Sequence, residues 1–246
     1  MFYWIMKVVL TPILGLFFRP TVEGLENIPA DGAAILAPSH MAFCDSVFLP
    51  LKVPRRVTFL AKSEYFTGPG LRGFANRLFF RGIGMVPIDR TSGSSAKAAL
   101  ETGVRILSEG KLLGVYPEGT RSPDGRLYRG KTGVARMALD ARVPVIPVVL
   151  TGTDKIQPQG RVLPRIHRVR IRIGPPLDFS RYYGMSGDRF VERSMTDEIM
   201  YELMMLSGQE YVDVYAAKVK TVMDRSGASA PEAVAAMRER TTRLAA

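Results

Sequence analysis

His40 and Asp45 stand five residues apart in the run Ser39-His40-Met41-Ala42-Phe43-Cys44-Asp45. Histidine is the commonest general base near neutral pH, and it works best when a carboxylate fixes its tautomer and stabilises the imidazolium. On one continuous helix the two side chains would lie about 140° apart. They can meet only if a turn follows the preceding strand and Asp45 opens the next helix. Nucleophilic chemistry is the rival. Cys44 lies between the pair, but cysteine also packs as a small hydrophobe. Ser39 is adjacent to His40, and adjacent side chains seldom point at each other. The Gly-x-Ser-x-Gly elbow is absent, so a covalent mechanism lacks the base–nucleophile pairing it needs.

A second stretch with chemical content runs from Gly110 to Gly133. Leu112 to Tyr116 reads as a short buried strand, and Pro117 holds Tyr116 in an extended backbone. An acid, a glycine, a hydroxyl and an arginine follow as Glu118, Gly119, Thr120 and Arg121. Glycine allows close backbone approach to a ligand, and arginine offers a planar fork of donors to phosphate or carboxylate. Basic residues recur at other expected strand or loop ends: Lys62, Arg90 and Lys131. Each alone reads as a solvated charge. Together with Arg121, on the same side as His40, they would form a positive basin suited to a phosphate monoester. Gly68 to Gly73 fits the spacing of a dinucleotide fingerprint, but no good strand precedes it and no acid follows about 20 residues on. It reads as a glycine-rich loop.

The elements that must carry these residues alternate. Apolar strands are expected at Ala33–Ala37, Val57–Ala61, Ile83–Ile88 and Val143–Leu150, and an alternating one at Val169–Ile173. Helical patterns are expected at Asp45–Leu51, Leu71–Phe80, Ser94–Ser108 and Lys131–Ala141. Val22–Ile28 reads as a connection. This is an α/β pattern, a single domain with a largely parallel mixed sheet covered by helices. From Asp188 to Asp224 two helices are expected to close over the sheet, and a last helix starts near Pro231. The division this suggests is an apolar segment at 1–19, an α/β core at 20–180 and a helical extension with a mobile tail at 181–246.

Whole-chain numbers narrow the partners. With 246 residues, 46% of them hydrophobic, the chain can bury a sizeable core. A net charge of +11 points to an anionic partner: phosphorylated substrate, acidic membrane or nucleic acid. Nucleic acid is disfavoured, since no basic patch is interleaved with stacking aromatics. One cysteine and two histidines leave too few ligands for zinc, and no intrachain disulfide can form. The chain is therefore expected to need no metal and no bound cofactor. Residues 1–19 are apolar almost throughout, but shorter than the roughly 20 residues that span a bilayer, and Lys7 and Pro12 interrupt them. An interfacial segment dipping into one leaflet fits, with Arg19 at the head groups. The rival is a helix packed on the core.

At these residues the chain resembles the glycerolipid acyltransferases, and among them the 1-acylglycerol-3-phosphate acyltransferases. The family's His-x4-Asp block is matched by His40 and Asp45, and its apolar strand running into arginine by Gly84 to Arg90. Pro-Glu-Gly-Thr-Arg-Ser is present from Pro117 to Ser122, and the fourth block is matched by Val143 to Thr153. The likeness covers residues 20–175 in the family's order. Many relatives have Asn where this chain has Ser39, a conservative polar change. The resemblance implies that His40 is the general base, oriented by Asp45, for attack of a glycerol hydroxyl on an acyl thioester with no acyl-enzyme. It implies that Arg90, Glu118, Gly119, Thr120 and Arg121 hold the acceptor, with Lys62 and Lys131 in the same anionic basin. Glu118, an acid among phosphate-binding groups, would position an arginine or the glycerol hydroxyls. The acceptor would be lysophosphatidic acid, giving phosphatidic acid, or glycerol 3-phosphate. The co-substrate would be acyl-CoA or acyl-ACP, the acyl carrier protein. The expected location is peripheral, on the cytoplasmic face of the cell membrane. A thioester hydrolase using water as acceptor is the alternative within the same chemistry, and a non-catalytic basic membrane-binding or nucleic-acid-binding protein is the alternative outside it.

Overall fold

The structure, a computed structural model, describes residues 1–88, 95–158 and 164–245. In chain order it gives α1 (Phe2–Phe18), β1 (Thr21–Glu23), β2 (Ala34–Pro38), α2 (Asp45–Lys52), β3 (Val57–Lys62), α3 (Gly70–Gly82) and β4 (Met85–Ile88). Then follow α4 (Ser95–Ser108), β5 (Leu112–Gly114), β6 (Leu127–Tyr128), α5 (Gly133–Ala141), β7 (Val145–Thr151), α6 (Thr153–Ile156) and β8 (Arg170–Ile173). The chain closes with α7 (Arg189–Ser207), β9 (Tyr211–Val212), α8 (Ala216–Ser226) and α9 (Ala230–Ala245).

β2 is buried at every residue, which is what a strand apolar on both faces requires. Its alternate side chains divide between two layers. Ala34 and Leu36 pack with Phe48 and Leu49 of α2, Phe80 of α3 and Phe18 of α1. Ile35 and Ala37 pack with Leu107 of α4, Ala138 of α5 and Ile199 of α7. The main sheet runs β1-β8-β7-β2-β5-β3-β4, parallel throughout except at β7–β8. This is the expected α/β single domain with a largely parallel, helix-covered sheet. Gly114 is required by packing: a Cβ there would lie 2.3 Å from the Phe59 ring of the neighbouring strand.

Two pairings differ from the expectation. The connection expected at Val22–Ile28 overlaps, at Val22 and Glu23, β1, an edge strand parallel to β8. β6 and β9 pair as a two-residue parallel ribbon that ties the C-terminal helices to the core. Strands of two or three residues are too short to show a period.

No helix of the described residues is long and apolar enough to cross a membrane. α1 packs one face on the protein: a Cβ at Gly82 of α3 would lie 2.6 Å from the Phe2 ring, and Tyr3 and Phe18 are buried. Lys7 is on this inner face, its ammonium donating to the carbonyls of Pro50, at 3.1 Å, and Val53. It therefore does not interrupt the outer face, which shows Trp4, Ile5, Val8, Val9, Ile13, Leu16 and Phe17.

Candidate active site

Parallel strands share a direction, so β2, β5 and β3 end at one edge of the sheet, where open α/β folds bind ligands. β2 delivers His40 there and its neighbour β5 delivers the Tyr116–Arg121 loop. A turn leads from His40 to α2, and Asp45 is the first residue of that helix. The side chain folds back. Asp45 Oδ2 accepts from His40 Nδ1 at 3.0 Å and from the backbone N–H groups of Met41 and Ala42 at 2.8 Å each. Asp45 is fully buried, whereas the His40 side chain is 16% exposed. With Nδ1–H given to the carboxylate, the imidazole lone pair sits on Nε2.

Two aromatic rings support the imidazole. Tyr116 stacks on it with centroids 3.7 Å apart, and Phe59 stacks behind Tyr116 at 5.4 Å, in the space Gly114 leaves open. The Tyr116 hydroxyl is bonded to Ser46 Oγ at 2.5 Å. Burial, and next the Asp45 charge, hold that phenol well above its ordinary pKa, so it stays protonated. Sequence reasoning passed over Tyr116 and Ser46. The only signal for Tyr116 was its place at the end of β5.

The rival nucleophiles are not prepared. Burial, with Asp45 beside it, pushes the Cys44 thiol up to about 12, and its Sγ–H faces the Thr153 carbonyl. The reactive thiolate is therefore scarce at neutral pH. Ser39 is buried, and among the described residues its hydroxyl has no hydrogen-bond partner, His40 included.

The second loop is sewn to the first. Ser122 N–H donates to the His40 carbonyl at 2.8 Å, and Glu118 accepts from His40 N–H at 3.4 Å and from Tyr128 N–H at 2.9 Å. Glu118 is 2% exposed. Its carboxylate turns inward, where two backbone amides need an acceptor. Gly119 has φ +69°, and a Cβ on it would lie 3.0 Å from Lys131 Cε, so the Lys131 stem runs across this glycine. Lys131 N–H also donates to the Pro117 carbonyl. Thr120 accepts at Oγ1 from Lys220 Nζ of α8 at 3.2 Å, a contact a hundred residues apart that no local pattern announced. Arg121 is exposed beside this group, and Lys62 is exposed at the end of β3. Arg90 lies outside the described residues.

Burial pushes the Glu118 carboxyl from its ordinary 4.5 up to about 7, with the amides of Tyr128 and His40 opposing. A carboxyl with a raised folded value binds its proton more tightly when folded. Its stabilising contribution is therefore complete below about 4.5 and is lost as pH rises through about 7. Unfolding free energy from urea titrations should fall across this window by up to roughly 3 kcal/mol on this account. That slope should flatten in Glu118→Gln. Equal slopes in the two proteins would remove the carboxyl as its source.

A family model described as "Acyltransferase" matches residues 19–151. The chain is 34% identical over 167 residues to 1-acyl-sn-glycerol-3-phosphate acyltransferase LPAT1, chloroplastic, of Arabidopsis thaliana, a match covering 67% of this chain and 45% of that protein. Over 167 residues it is 29% identical to the 1-acyl-sn-glycerol-3-phosphate acyltransferase of Bacillus subtilis, covering 67% of this chain and 77% of the relative. Against the Arabidopsis protein and 1-acyl-sn-glycerol-3-phosphate acyltransferase BAT2, chloroplastic, of Brassica napus, the chain spans less than half of the relative's length. The crystal structure of the 1-acyl-sn-glycerophosphate acyltransferase PlsC from Thermotoga maritima superposes with a TM-score of 0.64 at 27% identity, over 84% of this chain and 80% of that one.

Proposed function

The chain belongs to the acyltransferase family, and we propose that it transfers a fatty acyl group from a thioester to the free hydroxyl of 1-acylglycerol 3-phosphate, forming phosphatidic acid. The names of its relatives support that acceptor. The observation that carries the reading is the His40–Asp45 pair at the strand edge, with Nδ1 on a buried carboxylate and the lone pair left on Nε2. Nε2 takes the proton of the glycerol hydroxyl as its oxygen attacks the thioester carbonyl. The C–S bond then breaks, and the imidazolium returns the proton to the departing thiolate. Glu118 holds the loop that presents Gly119, Thr120 and Arg121, and Arg121, Lys131 and Lys62 supply the charge that a phosphate monoester needs. Arg90 is proposed for the same group. The donor is acyl-CoA or acyl-ACP, and no cofactor is required.

Purified protein supplied with each thioester and with lysophosphatidic acid, glycerol 3-phosphate or water alone tests this. Release of free thiol matched by phosphatidic acid is the expected result. Free fatty acid formed at the same rate without any acceptor would mean a hydrolase instead.

The protein is proposed to dock as a monotopic protein on the cytoplasmic face of the cell membrane. The outer face of α1 supports this, and α3 beside it exposes Leu71, Phe74 and Leu78. A net charge of +11 adds attraction to anionic lipid. Val8 and Leu16 are 72% and 71% exposed, so changing them leaves the packed face intact. Val8→Asp with Leu16→Asp should cut partitioning onto anionic vesicles by about tenfold or more. Unchanged partitioning of the folded double variant would place the membrane contact elsewhere.

A further inference from the structure

We infer that Lys220, from the C-terminal helix α8, is a further acceptor-binding residue whose ammonium joins Arg121 and Lys131 around the acceptor's phosphate monoester. The inference rests on the functional reading above, but the residue lies outside the stretch 19–151 that the family model matches.

Packing fixes Lys220 at this place. Its neighbour Val219 is fully buried with Ala216, Val212 and Tyr128. Tyr128 is the residue whose amide holds Glu118, so α8 is docked on the same loop that carries Thr120 and Arg121. Lys220 Nζ reaches Thr120 Oγ1 at 3.2 Å, which uses one of its three donors and leaves two for a ligand.

The charges around it are unbalanced. Among the described residues no carboxylate lies within 4.0 Å of Lys220, Arg121 or Lys131. Burial, and next the Arg121 charge, lower the Lys220 pKa, while Glu118 and Asp224 oppose from further away. A half-buried ammonium beside a guanidinium costs free energy unless an anion joins them. A phosphate monoester carries close to two negative charges and three acceptor oxygens, enough for both groups and Lys131. Two ligands bring such phosphates: the glycerolipid acceptor and the coenzyme A of the thioester. The position favours the acceptor, because Thr120 and Arg121 belong to the loop bonded to His40, where the attacking alcohol must sit.

Lys220→Met keeps the aliphatic stem and removes the charge, and Lys220→Arg restores a cation. Steady-state rates are measured with lysophosphatidic acid and with monoacylglycerol, the same alcohol without phosphate, and with the thioester varied separately. In Lys220→Met the KM for lysophosphatidic acid should rise about 10- to 100-fold. Preference for it over monoacylglycerol should fall by a similar factor, and Lys220→Arg should recover most of it. Where monoacylglycerol turns over too slowly, inhibition by inorganic phosphate is the second readout, weakened in Lys220→Met. Equal losses on both acceptors, or unmoved phosphate inhibition, would reduce Lys220 to a support for the Thr120 loop. A rise confined to the thioester KM would move the contact to the donor. A wild-type protein that acylates no lysophosphatidic acid overturns the functional reading itself, whereas an active wild type with unchanged preference in Lys220→Met overturns this inference alone.

Discussion

His40→Ala should lower acyl transfer by about 10²- to 10⁴-fold or more, with the protein still folded. The imidazole carries the one lone pair that the dyad offers to an alcohol, and Nε2 is that position once Nδ1 is bonded to Asp45. Truncation leaves the Glu118–Arg121 loop attached through backbone, since Ser122 N–H bonds the carbonyl of residue 40 and not its side chain. The loss should therefore fall on kcat, while the KM for the acceptor stays within a few-fold. Asp45 loses one of its three donors and keeps the amides of Met41 and Ala42, so the fold should weaken by no more than about 1–3 kcal/mol. Circular dichroism and thermal melts separate a folded inactive variant from an unfolded one. Near-normal turnover by a folded His40→Ala protein would remove the general-base assignment.

The dyad was legible because its requirement is local. Five residues of separation demanded a turn and a helix start at Asp45, and the chain supplies both. The strands and helices around it were legible because burial on one or two faces imposes a period on the sequence. Sheet order is a different kind of property. Tyr116 meets His40 because β5 inserts between β2 and β3, a long-range choice that no window of local sequence records. The same limit applies to Lys220, which reaches Thr120 only because α8 docks on Tyr128. Glu118 shows a related limit. Its neighbours Gly119, Thr120 and Arg121 make it look like part of a ligand loop, yet two amides, one from 78 residues away, draw its carboxylate into the protein. Residue type suggests a chemistry for the loop but does not record which of its side chains face inward.

The second large effect is expected from Asp45, and here the choice of substitution decides what is learned. Asparagine has the same shape, and two orientations are open to it. With its nitrogen at the Oδ2 position it would confront three donors: Met41 N–H, Ala42 N–H and the imidazole Nδ1–H. That arrangement is repulsive. With its oxygen there, all three bonds survive, and the nitrogen takes the place of Oδ1, which is buried and has no protein partner among the described residues. The second orientation wins, at a cost of about 1–3 kcal/mol for an unsatisfied buried amide group, offset in part by removing a buried charge. The imidazole then keeps its tautomer and its position and loses only the negative charge that stabilises the imidazolium during proton transfer. Asp45→Asn should thus lower kcat by about 10²- to 10³-fold with little change in the acceptor KM, the lower part of the range for losing base catalysis. Asp45→Ala removes all three bonds, releases the turn from His40 to Cys44, and should lower both turnover and melting temperature. Wild-type kcat in a folded Asp45→Asn protein would show that the carboxylate serves only to shape the turn. The proton would then have to leave the alcohol without help from that charge.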